Sequence, residues 1–150
     1  MHNLKKSILF LGRACLSFIF ILSGIEKIFN WSATEESFLN QLCEVTSHSF
    51  QNDWLQGMLE GVIAWVPILL TAHIIFEIVG GLLVLFGIKM RLGAILLILA
   101  LIPATLLFHN FWMLEGEKAQ LQVIMFLKNL SILGGLMIVL SIGDPFSKSA

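Results

Sequence analysis

The chain is poor in charge and has no tyrosine. Only 13% of its 150 residues are Asp, Glu, Lys or Arg, about half the share of a typical soluble domain. The formal net charge of -1 gives no electrostatic basis for binding nucleic acid. Apolar residues make up 57% of the chain and the mean hydropathy is +0.90. This composition predicts an integral membrane protein in contact with the lipid bilayer.

Cysteine is also scarce, with only Cys15 and Cys43. They do not form a C-x-x-C pair, so thiol–disulfide exchange and covalent haem attachment have no motif in this sequence. Cys15 falls in an apolar run and is expected to act as a small packing residue.

Long apolar runs fill most of the chain. Four segments, about 7–29, 62–87, 92–112 and 121–142, have the length and composition of membrane-spanning helices. The first run exceeds the roughly 7–15 residues of a signal-peptide core, so a retained helix is expected. We therefore predict one domain over residues 1–150, an all-α membrane protein built as a four-transmembrane-helix bundle.

Basic residues predict the orientation of the spans. Lys5 and Lys6 precede the first span, and Lys89 and Arg91 occupy the tight turn after the second. The long loop 30–61 is mainly acidic. The positive-inside rule then places both termini in the cytoplasm and the long loop on the outer side.

The loop 30–61 is predicted to contain a short amphipathic helix. Ser32 and Glu35 fit a capping box, and Phe38 and Leu42 share one helical face. Asp53 is a second plausible N-cap, leading into the second span. A surface helix packed over the bundle is the favoured interpretation, and a partner-docking surface is the alternative.

Eight polar residues in or beside the spans form the candidate site. A charge at membrane depth costs roughly 3 kcal/mol, so such residues face the bundle interior. Depth, at about 1.5 Å per residue, predicts an ion pair between Arg13 and Glu77 and directs Lys128 toward Glu26 or His109. The eight residues are Arg13, Glu26, Lys27, His73, Glu77, His109, Asn110 and Lys128.

Two interpretations of these residues stay open. They could line a polar cavity, or they could only fix helix register and snorkel to the membrane surface. A bis-histidine haem between His73 and His109 is disfavoured, because the two depths differ by about a turn. Only His73 and Glu77 share a ligand-like spacing, so no metal site is predicted.

Several short motifs, in this order and spacing, resemble the DoxX family of small four-span bacterial membrane proteins. Leu11-Gly12-Arg13 opens the first span and a Ser-Gly-Ile-Glu-Lys-Ile-Phe run closes it. Related motifs follow in the later spans: Glu77-Ile78-Val79-Gly80-Gly81, the run from Ala104 to Trp112, and Phe126-Leu127-Lys128-Asn129-Leu130 with Gly134-Gly135.

The resemblance implies a location in the bacterial inner membrane and a link to redox chemistry. The expected function is a redox-associated subunit whose polar cavity binds a quinone or another small ligand. Expected partners are other membrane or periplasmic oxidoreductase subunits, or further copies of the chain. The family's polar positions match Arg13, Lys27, Glu77, His109 and Lys128. The alternatives are a scaffold that docks a partner through residues 30–61 and a small-solute transporter.

Overall fold

The computed structural model describes residues 2–49 and 53–143, and its regular structure there is entirely helical. Each helix reflects a long apolar or amphipathic segment bounded by polar or glycine residues. The elements are α1 (His2–Phe29), α2 (Trp31–Ser49), α3 (Asp53–Phe86), α4 (Met90–Phe108), a 3₁₀ turn (Phe111–Met113) and α5 (Gly116–Ile142).

Four helical segments are long and apolar enough to cross a membrane: Leu4–Phe29, Gly61–Phe86, Met90–Met113 and Gly116–Ile142. They confirm the four-span, all-α architecture expected from the sequence, with boundaries that differ by a few residues. One end of the bundle holds the start of α1, the turn between α3 and α4, and the end of α5. We call it the termini end, and the opposite one the α2 end.

The spans pack in the order α1, α3, α4, α5, so that α1 and α5 are the outer members. These two meet near Leu16 and Gly135, where a Cβ on the glycine would lie 3.5 Å from Leu16 Cδ1. The buried apolar cluster is made of Phe20, Val84, Met90, Ala94, Leu97, Leu101, Leu136 and Val139. Most of these residues lie toward the termini end, which is therefore the more tightly packed part of the bundle.

Glycine allows the closest helix contacts. A Cβ on Gly93 would lie 2.9 Å from the Gly80 carbonyl oxygen, and one on Gly81 would lie 2.7 Å from Ile21 Cγ1. The sequence motif predicts close packing at Gly80-Gly81, and the structure confirms it. The second glycine pair, Gly134-Gly135, is likewise predicted to pack closely. Gly135 lies against Leu16 of α1, whereas a Cβ on Gly134 would meet none of the described atoms of a neighbouring helix within 4 Å.

Helix α2 follows α1 after a single residue, Asn30. The Asn30 N–H donates to the Glu26 carbonyl and the Thr34 N–H donates to the Asn30 carbonyl, both at 2.9 Å. The predicted capping box was wrong, because helical hydrogen bonding continues through the junction. Glu35 instead accepts a hydrogen bond from Trp31 Nε1 at 2.9 Å.

Helix α2 has 19 residues and is therefore longer than the short helix predicted for this loop. It lies against the bundle, where the Phe38 ring makes an edge-to-face contact with Phe108 of α4, with centroids 5.9 Å apart. The next helix begins at Asp53, the residue predicted as its N-cap. Helix α2 therefore covers part of one end of the bundle.

Candidate functional site

A cavity of about 900 Å³ lies toward the α2 end. All four spans and α2 contribute to its wall, which is mostly apolar with a few polar side chains. This size and chemistry are those of a small-molecule site. Six of the eight residues singled out in the sequence lie in the wall: Glu26, Lys27, His73, Glu77, His109 and Lys128.

The Glu77 carboxylate is the centre of a polar network between α1 and α3. Lys27 Nζ lies 2.8 Å from Oε1 and 2.7 Å from Oε2. Ser23 donates to Oε1 at 3.1 Å and accepts from Lys27 Nζ at 2.6 Å. His73 Nε2 lies 3.3 Å from Oε1. The charge of Glu77 is thus balanced by Lys27 and distributed over several donors.

The local sequence explains this geometry. Ser23 and Lys27 are four residues apart on α1, as are His73 and Glu77 on α3, so each pair shares a helix face. Gly24 lets the two helices approach, since a Cβ there would lie 2.6 Å from Ile78 Cγ1. The short Ser23 side chain can therefore reach across to the carboxylate.

The predicted pair between Arg13 and Glu77 was wrong. Ser23 fixes the level of Glu77 on α1, and Arg13 lies ten residues earlier, about 15 Å along the axis. That distance exceeds the reach of an arginine side chain. Arg13 instead directs Nη1 toward the Met90 sulfur at 3.7 Å, outside the cavity.

Lys128 does not make the contact predicted for it. Its Nζ lies 3.5 Å from the Met125 sulfur on the same helix, and none of the ion pairs among the described residues involves it. His109 Nδ1 is paired with Gln122 Oε1 at 2.7 Å, and Glu26 is exposed. The ammonium group of Lys128 therefore borders the cavity without a carboxylate partner among the described residues.

Asn110 is buried but lies outside the cavity wall. Its Nδ2 lies 3.3 Å from the Met113 sulfur, and its carbonyl accepts the Met113 N–H at 2.9 Å. These contacts shape the 3₁₀ turn after α4. Asn110 therefore supports the turn beside His109.

Three polar residues in or beside the site are not among the eight candidates taken from the sequence. Ser23 lies in the Glu77 network, Gln122 holds His109, and Asn129 donates to Thr105 Oγ1 at 2.9 Å. Ser23 had a usable signal, its four-residue spacing from Lys27. Uncharged amides and hydroxyls are common in membrane helices, so the others had no comparable signal.

The two cavity histidines have different neighbours. His73 lies beside Glu77, and His109 is fixed by Gln122. Within residues 2–49 and 53–143, no three His, Cys, Asp or Glu side chains are grouped so that they could hold a metal ion. The cavity is half-open, and its mostly apolar wall carries an ammonium, two imidazoles and a balanced ion pair.

Aromatic and proline residues also line the cavity. Phe20, Phe76 and Phe108 supply flat apolar surface from three different helices. Pro103 also lies in the wall, and because proline has no N–H, the carbonyl of Leu99 loses its usual helical donor.

A family model described as DoxX matches residues 8–110, more than half of the chain. The match takes in the first three spans and the cavity residues from Ile19 to His109, and it ends before α5. Searches of curated proteins and of solved structures each gave no significant match. On the strength of the family match, the chain belongs to the DoxX family.

Proposed function

We propose that the protein is a redox-associated membrane subunit that binds a quinone in the cavity at the α2 end. The observation that carries the proposal is Lys128, a cavity-lining ammonium whose contact within the described residues is a thioether. A quinone offers a flat ring with carbonyl oxygens and an apolar tail. Lys128 and His109 supply the polar contacts for the ring oxygens, and the apolar wall receives the rest.

The packing of α1 and α5 supports a lipid-borne ligand. The two helices meet at Leu16 and Gly135, toward the termini end. Beyond that contact the cavity wall takes in Ile19 of α1 and Ile132 of α5. Lys128, still farther toward the α2 end, is exposed. A ligand can therefore enter sideways from the bilayer between these helices, with its tail left among the lipids.

The Lys27–Glu77 pair has a different role in this proposal. Because its charges already balance, it keeps the cavity polar without attracting a counter-ion. With His73 beside Glu77, it can accept and return a proton as the bound ring changes its redox state. The electrons come from a partner oxidoreductase subunit, so this chain supplies binding and proton handling.

The packing of α2 argues against the alternative function, a scaffold that docks a partner through residues 30–61. Phe38 and Leu42, the residues that a docking surface would present, are half-buried in α2. Phe38 is packed on Phe108 and lines the cavity. This favours α2 as a cover for the cavity over α2 as a partner-binding surface.

Quinone binding to the purified protein in lipid nanodiscs tests the proposal. Lys128→Met should weaken binding about 10- to 100-fold, as expected for one charge-assisted hydrogen bond. Lys118→Met is the matched control, because Lys118 is exposed on the same helix and outside the cavity wall. Equal quinone affinity in the two variants, or no quinone binding by the unaltered protein, would overturn the proposal.

A further inference from the structure

A second unusual polar group lies at the termini end, away from the cavity. Arg13 is only partly exposed, and its buried Nε has no hydrogen-bond partner among the described residues. The contact it does make is the weak one from Nη1 to the Met90 sulfur at 3.7 Å. One turn deeper, Ser17 Oγ is also buried and without a partner in the described part of the chain. Among the described residues, the guanidinium therefore makes one weak contact through Nη1, and its buried Nε makes none.

The position of Arg13 in the bundle shows where a hydrogen-bond partner for its guanidinium could come from. Residues 4–12 of α1 are all exposed, so Arg13 is the first described side chain of α1 that packs on the bundle. It reaches Met90, the first residue of α4. Arg13 therefore lies level with the turn between α3 and α4. At this level a side chain can meet lipid headgroups as well as the bundle.

The same turn carries two more cations. Lys89 and Arg91 flank Met90 and are both exposed. Lys89 adopts a left-handed backbone with φ of 45° at the start of α4. Arg91 lies over the end of α5, where a Cβ on Gly143 would be 2.7 Å from its Nε. The turn that Arg13 contacts through Met90 therefore carries two further basic residues.

Acidic residues are absent from this end, within the part of the chain that the structure describes. Every described Asp or Glu lies at the α2 end or, like Glu77, inside the bundle. The nearest available counter-charge for Arg13 is therefore not a carboxylate of the described residues. An external anion can satisfy it, and the alternative is Asp144, which follows Gly143 in the sequence and lies outside the described residues.

We propose that the termini end binds the phosphate group of an anionic lipid, with Arg13 as the main ligand and Lys89 and Arg91 at the rim. A guanidinium donates two parallel hydrogen bonds to phosphate oxygens, which suits the open donors of Arg13. The two rim cations add attraction for a negatively charged headgroup. This site is independent of the quinone cavity, and its failure would leave that proposal untouched.

Native mass spectrometry of the full chain tests the site by comparing phosphatidylglycerol with phosphatidylcholine adducts. The unaltered protein should favour phosphatidylglycerol about tenfold, and Arg13→Gln should abolish that preference. Arg13→Lys should keep part of it, because it retains the charge and loses the fork. Lys118→Gln, at the α2 end, should leave the preference unchanged.

Inorganic phosphate distinguishes the two sources of the anion. Displacement of phosphatidylglycerol by phosphate, lost in Arg13→Gln, would show that the site also accepts free phosphate. If Arg13→Gln does not fold, the exposed pair Lys89→Gln/Arg91→Gln replaces it, with an expected severalfold loss of preference. Unchanged lipid preference in a folded Arg13→Gln protein, or in the double variant, would overturn the proposal.

Discussion

Glu77 is the most enclosed charged group among the described residues, with 7% of its side chain exposed. It is tolerated because Lys27 supplies a counter-charge and Ser23 a further donor. Lys27 is itself 23% exposed, so the pair lies on the cavity wall rather than in a sealed core. Breaking one half of such a pair is costly, whereas replacing both halves with apolar groups is often neutral.

A double-mutant cycle should therefore show strong coupling between these two residues. Lys27→Met should lower the free energy of unfolding by about 3 kcal/mol, the low end for a buried pair because Lys27 is partly exposed. Lys27→Met/Glu77→Leu should recover most of that loss. Reversible unfolding in mixed micelles measures both. Additive effects of the two single substitutions would show that the observed contact contributes no coupling.

The sequence indicates which charged residues face the bundle interior, but not which of them pair. The cost of charge in a membrane directs attention to Lys27, His73, Glu77 and Lys128, and these four residues line one cavity. It does not say which charges pair, because pairing depends on how far one helix is shifted along another. On α1, Arg13 lies ten residues before Ser23, the residue level with Glu77, and it contacts Met90 instead.

The points of closest approach between helices set how far one helix is shifted along its neighbour. Gly24 and Gly81 bring α1 onto α3, while Gly80 and Gly93 bring α3 onto α4. Hydropathy alone locates the four spans, because an apolar run of this length has few alternatives. It could not give the length of α2, whose mixed composition carries a weaker helical signal.

Gly93→Ala tests the α3–α4 contact. The added methyl would lie 2.9 Å from the Gly80 carbonyl oxygen, a backbone atom that cannot move alone. We expect a loss of about 1–3 kcal/mol in unfolding free energy, as for overpacking. Gly134→Ala is the matched control, since the space around it is open and alanine favours the helix by about 0.5–1 kcal/mol. Equal stability of the two variants would contradict the close contact.

At the scale of the whole molecule, the two ends of the bundle differ in both packing and charge. The termini end combines most of the buried cluster with Arg13, Lys89 and Arg91. The α2 end holds the cavity and most of the described acidic residues. The positive-inside rule predicts an orientation with the cavity toward the periplasmic side. A periplasmic oxidoreductase partner would approach the same end at which the proposed quinone binds.

Single cysteines at the two ends test this orientation. In a Cys15→Ser/Cys43→Ser background, Lys89→Cys and Glu117→Cys place one exposed thiol at each end. A membrane-impermeant maleimide added to intact spheroplasts should label Glu117→Cys at once, and Lys89→Cys only after the membrane is permeabilised. The reverse pattern would place the cavity toward the cytoplasm, so the electron-donating partner would have to be cytoplasmic. Labelling of both thiols in intact spheroplasts would contradict the four-span topology itself, because the two residues must lie on opposite sides of the bilayer.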